Sequence, residues 1–248
     1  MLVGKHLPGC VGDGVEYCVA PTWKTRGVTA IRPPDRPLIG RFISLTPFTA
    51  ADVPDLYRAL GHPEVFAGGY GGGPAGFTPD LEAFERFAIP SYSGGPDAMP
   101  WTLRIEGGPD HGTVIGATKF ADFDLQQEYG HIGWTGYDPR VWGTAVNPEA
   151  KLLLLGLAFD HGFGRVKIQA DAVNARSRAA ITKLGAHFEG IARRDRQRAD
   201  GSWRDTAVYS VIVDDWPAVR AGLEARLAAW GDRPVVLSGD RARAADAR

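Results

Sequence analysis

Residues 139–159, PRVWGTAVNPEAKLLLLGLAF, set a turn of small residues directly before a long apolar helix. The apolar run from Leu152 to Phe159 contains Gly156 and falls far short of the roughly 20 residues a membrane helix needs. A helix of this kind must be buried within the protein. The strand-like stretches HIGWTGYDP before it and RVKIQADAV after it supply a sheet to bury it against. A small-residue turn between a strand and a helix is also where free backbone N–H groups meet the positive end of a helix dipole, which suits phosphate or pyrophosphate. The same turn would serve equally as a tight connection with no ligand.

The rest of the chain alternates in the same way. LIGRFISLTPF reads as a strand, Thr49 as the cap of a helix through AADVPDLYRAL, and TPDLEAFERFA as a second helix beyond the glycine-rich GGYGGGPAGF. In WTLRIE, Trp101, Leu103 and Ile105 alternate with Thr102, Arg104 and Glu106, and GGPDHG then turns the chain into TVIGATKFADF as a hairpin. Asn147 and Pro148 read as the cap and first residue of the apolar helix. Val166, Ile168, Ala170 and Ala172 share one strand face. Asn174 caps a helix whose stripe is Ser177, Ile181 and Leu184, and Gly185 ends it. HFEGIARRDR and RDTAVYSVIV meet across Asp200-Gly201, and WPAVRAGLEARLAAW closes the pattern with a helix. The fold expected is α/β, a mixed central sheet flanked by helices on both faces. Residues 37–230 form its core, with an N-terminal extension at 1–36 and a C-terminal tail at 231–248.

Charge narrows the partners. With 28 Lys and Arg against 29 Asp and Glu, the chain generates no broad field to hold nucleic acid or an anionic membrane, so neither is an expected partner. The two cysteines, Cys10 and Cys18, lack the companions of a zinc site, and no metal is expected. They read as free thiols, and the start of the chain lacks the continuous apolar core of a secretory signal, so the expected location is cytoplasmic.

Arg140, Gly143 and Ala145 fill the defined positions of R/Q-x-x-G-x-G/A, and the segment resembles the acetyl-CoA pyrophosphate loop of the GNAT N-acetyltransferases. The order of elements from about Arg36 to Trp230 is similar to that family's. DAVNARSRAAITKLGAHFEGIARR resembles the Asn-containing block of its RimJ/RimL-like branch. The resemblance implies a GNAT fold, acetyl-CoA as cosubstrate with no metal, and direct attack of a primary amine on the thioester. The acceptor would be a small molecule or a protein N-terminus. It implies cofactor contacts at Arg140, Val141, Trp142, Gly143, Thr144 and Ala145, with the amides of 141–146 available to the anion. Main-chain bonds around Trp134 and Thr135 and a place beside the cofactor arm for Asn174 are implied as well. Family members are often dimers, so a homodimer is an open expectation.

The chain departs from the family pattern at two catalytic places. Ile181 stands where many GNAT enzymes carry a thiolate-protonating Tyr. Ser177 is where the RimL-like branch has a Ser with a proposed equivalent role, although it could instead bond back to the capping region. His131 stands where that branch often has Glu. It is either a general base or a structural histidine, with Glu128 and Glu189 as reserves. His161 suits the carbonyl end of the apolar helix. Phe66, Tyr70 and Phe77 of the glycine-rich region are candidate acceptor contacts, and RRDRQR is either a site for an acidic acceptor or the CoA 3'-phosphate, or a solvated hairpin. The two departures keep open a catalytically weak CoA-binding regulatory or interaction module as the alternative to an enzyme.

Overall fold

The computed structural model describes residues 29–237. Cys10, Cys18 and most of the expected N-terminal extension lie outside them. Eight strands, β1 (Leu38–Ile39), β2 (Ile43–Pro47), β3 (Met99–Ile105), β4 (Val114–Asp124), β5 (Tyr129–Tyr137), β6 (Arg165–Asp171), β7 (His187–Gln197) and β8 (Trp203–Ile212), form one sheet in the order β1-β2-β3-β4-β5-β6-β8-β7. The helices are α1 (Val53–Leu60), α2 (Pro63–Ala67), α3 (Leu81–Ser91), α4 (Val146–Asp160), α5 (Ala175–Leu184) and α6 (Trp216–Trp230). None is long and apolar enough to cross a membrane.

Two separate cores cover the two faces of the sheet. Val53, Leu56 and Leu60 of α1 pack with Phe66 and with Phe84 of α3 on one side. On the other, Leu154, Leu155 and Ala158 of α4 pack with Leu103, Val166 and Ile168 from the strands and with Val219 and Leu223 of α6. Ala30 and Val235, outside the patterned core, are buried in this second cluster.

Sequence periodicity located most elements but not α2, and two of the boundaries it misplaced bear on the site. LIGRFISLTPF is a pair of short antiparallel strands rather than one, with Leu38 opposite Leu45. The reason lies 108 residues away, where Glu149 of α4, itself 4% exposed, accepts the N–H groups of Arg41 (2.7 Å), Phe42 (2.7 Å) and Ile43 (2.8 Å). A carboxylate that satisfies three backbone donors fixes the turn between β1 and β2. The apolar helix also begins two residues early, at Val146, with Ala145 at the cap position in αR geometry. Asn147 therefore sits inside the first turn, where its Oδ1 accepts from the Tyr137 hydroxyl at 3.1 Å.

β5 and β6 run parallel but pair only at Tyr129–Arg165, Gly130–Val166 and His131–Lys167. Beyond them the strands diverge, because β5 carries a bulge that sets Trp134 and Thr135 opposite the single residue Thr118. Trp134 occupies the left-handed region at φ 51°, uncommon for a bulky residue. Two phenols hold it there. Tyr92 Oη donates to the Trp134 carbonyl at 2.7 Å, and Tyr70 Oη donates to Tyr92 at 2.8 Å. Burial raises both phenols above their ordinary value, so they remain donors at any physiological pH.

Candidate active site

The divergence of β5 from β6 opens a cleft of about 560 Å³. Its walls are the β5 edge, the turn before α4, the N-terminal half of α5, the tip of the β7–β8 hairpin and the glycine-rich segment 68–72.

The turn is built by Asp138, which is fully buried and accepts from Arg140 N (2.8 Å), Nε (3.0 Å) and Nη2 (2.7 Å). Arg140, expected at the cofactor loop, is thereby engaged with protein as well. Its guanidinium is committed to Asp138, the pairing raises its pKa, and the residue is not on the cleft wall. Thr144 and Ala145 are also off the wall, Thr144 donating its hydroxyl to the Val141 carbonyl at 2.6 Å and Ala145 being 2% exposed. Val141, Trp142 and Gly143 do line the cleft.

The loop amides are likewise only partly free. Those of Val141, Trp142 and Thr144 donate to the carbonyls of Asp138, Pro139 and Val141, and that of Val146 leans on the Thr144 hydroxyl at 3.4 Å. The N–H groups of Gly143, Ala145 and Asn147 have no acceptor among the described residues. Gly143 has φ 75°, and a Cβ added there would meet nothing within 4 Å, so the backbone is open to a ligand on that side. Unpartnered amides at a helix start beside an open glycine fit a pyrophosphate.

Trp142 anchors its indole N–H on the Tyr137 carbonyl (3.1 Å), and the Arg176 guanidinium lies 3.4 Å above its ring, spanning from α5 to the turn. Asn174 caps α5 by accepting from Ser177 N at 2.9 Å, and its amide donates to the Gly68 carbonyl. Both ends of that side chain are thus engaged with protein. Ser177 lines the cleft, and its hydroxyl has no hydrogen-bond partner among the described residues; the bond back to the capping region is absent. Thr135 lines the cleft too, its hydroxyl shared between Thr118 (2.8 Å) and the Gly133 carbonyl (3.3 Å).

His131, on the cleft wall and 2% exposed, makes a 2.9 Å hydrogen bond from Nδ1 to Asp122 Oδ2. That bond holds the Asp122 carboxyl below its usual range, so Asp122 is ionised and can only accept. The ring proton is therefore on Nδ1. Burial, opposed by the Asp122 contact, lowers the His131 pKa below its ordinary 6.5, and the neutral ring leaves a lone pair on Nε2. Nε2 is buried without a partner among the described residues. Gly133 makes room for the ring, since a Cβ there would come within 2.8 Å of Nε2. Sequence reasoning singled out His131 as a candidate but not Asp122, which the β4–β5 hairpin brings back beside it.

The reserve bases are elsewhere. Glu128 accepts from Thr29, and Glu189 pairs with Arg165 and accepts from Ser210 at 2.7 Å; neither lines the cleft. His161 closes α4, its Nδ1 2.7 Å from the Leu157 carbonyl. Of the three aromatic acceptor candidates, only Tyr70 reaches the cleft. Phe66 is fully buried and packs edge-on against Phe77. Lys151, one turn beyond Asn147, was not anticipated. It lines the cleft at 6% exposure, and burial alone pushes its pKa down to about 8.

Residues 43–187 match the model of the GNAT acetyltransferase domain. An acetyltransferase-like protein from T. thermophilus is 32% identical, with a TM-score of 0.70 over 79% of this chain and 100% of the other. The chain belongs to the GNAT acetyltransferase family. It is an N-acetyltransferase. Two more distant GNAT structures share the fold. A GCN5-related N-acetyltransferase from Brucella melitensis has a TM-score of 0.71 at 23% identity, covering 83% of this chain and 90% of its own. RimJ from Mycobacterium smegmatis, solved with a CoA-disulfide, has a TM-score of 0.59 at 17% identity, covering 74% and 88%. No curated protein sequence matches the chain at a significant level. Among the described residues no cluster of His, Cys, Asp or Glu could hold a metal.

Proposed function

We propose that this GNAT enzyme transfers an acetyl group from acetyl-CoA to a primary amine, with His131 as the general base. The observation that carries the reading is the His131–Asp122 pair. It leaves Nε2 of a cleft-lining residue buried and without a partner among the described residues, where β5 parts from β6. A neutral imidazole fixed in one tautomer by an ionised carboxylate is suited to accept a proton at neutral pH. The same pair supports turnover over a catalytically weak CoA-binding module.

Acetyl-CoA, when bound, supplies the activated thioester carbonyl. The open amides around Gly143 would hold its pyrophosphate, and the unpaired β5 edge near Trp134 and Thr135 would hold the arm. Arg140 acts on this loop through Asp138, shaping it rather than touching the ligand. As the amine attacks, Nε2 of His131 takes its proton and Asp122 stabilises the imidazolium formed. Ser177, with a free hydroxyl at the start of α5, is the proton donor to the departing thiolate, and Asn174 positions it by capping that helix. The Asn174-x-x-Ser177 spacing supports the RimJ/RimL-like branch, whose acceptors include protein N-termini. The amine acceptor is a small molecule or a protein N-terminus in a cytoplasmic setting.

The test is acetyl-CoA titration calorimetry combined with single-turnover acetylation of an amine panel. His131→Ala and Ser177→Ala should each slow transfer by about 10²-fold or more while leaving acetyl-CoA affinity nearly intact. Unchanged turnover in both variants rejects these roles, and absence of acetyl-CoA binding to the wild type rejects the reading.

A further inference from the structure

The β7–β8 hairpin contributes arginines to the wall of the cleft. Pairing in the sheet puts His131 opposite Lys167, Asp171 opposite Thr206, and Arg196 opposite Arg204. Alternation along β6 and β8 then sets His131, Lys167, Gln169, Asp171 and Arg204 on one face. Arg196, Arg198 and Arg204 all line the cleft.

Their counter-charges are unequally shared. Asp171, 4% exposed, is taken by Arg198, which donates Nε to Oδ2 and Nη2 to Oδ1, both at 3.0 Å. Asp195 is taken by Arg196 at 3.1 Å and the Thr206 hydroxyl at 2.8 Å. Arg204 is left over. Its side chain is 14% exposed and comes no nearer than 4.0 Å to Asp171, its Nε is buried without a partner, and none of its donors makes a hydrogen bond among the described residues. Nε is the donor left buried without a partner, Asp171 offsets the charge only from the edge of ion-pair distance, and a second arginine stands directly opposite, so the guanidinium is under-compensated. Burial lowers its pKa most, with Arg196 and Arg198 adding to that and Asp171 and Asp195 opposing it. Arg196 is also close enough to His131 to depress the pKa of that ring. Arg204, opposite Arg196 and lining the same cleft as His131, adds a weakly compensated charge to the wall that carries the proposed base.

We propose that the acceptor amine carries a carboxylate, which docks on Arg204 beside Arg196 and so aims the amine at His131. The planar guanidinium fork matches a carboxylate in two parallel bonds, and the docked anion satisfies the donors the protein leaves open. The cationic wall selects such substrates over neutral amines of equal size. This inference rests on the acetyl-transfer reading for its orientation, and its charge argument can be read without turnover.

Two measurements test it. The first compares kcat/KM for matched amines, β-alanine against β-alaninamide and the C-terminally amidated peptide Ala-Asp-Ala against the equally amidated Ala-Asn-Ala, with phosphoethanolamine against ethanolamine as the phosphate arm. The acid of at least one carboxylate pair should be preferred tenfold or more, and Arg204→Gln should abolish the preference while acetyl-CoA affinity is retained. A preference confined to the phosphate pair, neutral amines used equally well in every pair, or a preference that survives Arg204→Gln overturns the proposal.

The second follows thermal stability with added β-alanine or β-alaninamide in the wild type, Arg204→Gln and the half-exposed neighbour variant Arg196→Gln. β-Alanine should stabilise the wild type more than its amide does, and the excess should vanish at Arg204→Gln and shrink at Arg196→Gln. Carboxylate-specific stabilisation without acetylation of any amine would uphold the docking site and defeat the acetyl-transfer reading. Acetylation without charge preference would do the reverse, and equal effects of β-alanine and its amide on all three proteins would overturn the docking site.

Discussion

Replacing Lys151 by Met should stabilise the ligand-free protein, and the gain should depend on pH in a defined direction. Lys151 is 6% exposed, has no carboxylate within salt-bridge distance among the described residues, and is displaced from its ordinary 10.5 to about 8 by burial alone. At about 1.36 kcal/mol per pH unit, keeping this ammonium charged at pH 7 costs the folded state roughly 3 kcal/mol. Methionine fills nearly the same volume with a flexible apolar chain and carries no such cost. The sign follows from linkage. A lysine whose folded pKa is depressed binds its proton more weakly in the folded state than in the unfolded one, so the cost is full below pH 8 and fades as pH rises toward 10.5. By about pH 9.5 it has fallen to about 1.4 kcal/mol, so the gap between variant and wild type should narrow by about 2 kcal/mol between about pH 7 and 9.5. Urea denaturation at the two pH values, with equal slopes in both proteins, measures this. A gap of constant size would show that water or a reoriented side chain solvates the ammonium, and the assignment of burial as the cause would fall.

Other substitutions address the site. Gly143→Glu places a carboxylate and a β-carbon in the open left-handed position and should weaken acetyl-CoA binding by at least about 10²-fold, measured by calorimetry, at a cost of about 1–2 kcal/mol in stability from the left-handed backbone. Asp122→Asn removes the contact that raises the His131 pKa against burial, so the acid limb of kcat/KM should move to lower pH while the plateau drops; a limb that moves upward refutes the pairing. Glu149→Gln leaves backbone donors of the β1–β2 turn short of a charged acceptor and should destabilise the fold by about 2–4 kcal/mol in denaturant, with acetyl-CoA affinity falling less than tenfold.

Local pattern was enough where the determinants of an element lie within it. Alternation in WTLRIE, the cap at Asn174 and the glycine stop at Gly185 each depend on neighbours in the chain, and each element is where those residues place it. The turn at Gly40 was illegible because its stabilising carboxylate is on α4, more than a hundred residues away. Arg140 was read as a ligand contact because the motif names it, whereas the acid that takes its charge is two residues earlier and buried by the fold. Asp122 could have been found from the hairpin itself, since folding KFADF back on YGHIG brings the end of one strand beside position 131. Lys151 carried a signal as well, a lysine set against an uninterrupted leucine run one turn past Asn147. Arg204 had one in the Asp200–Gly201 turn, which fixes its partner as Arg196. The orphaned state of Nε2 and of the Arg204 guanidinium is a property of three-dimensional crowding, and no spacing in the chain announces it.

The sheet is continuous on paper, yet its two halves are stitched by three residue pairs at one end of a widening gap. Cooperativity across that seam depends on the helices alone wherever the strands have parted. A molecule lying in the gap with bonds to both strands would complete the missing rungs, and a cosubstrate bound there as proposed would act as a temporary strand of the sheet. Its binding energy should surface as mechanical coupling between the halves, with slower amide exchange along both edges as well as a higher melting temperature.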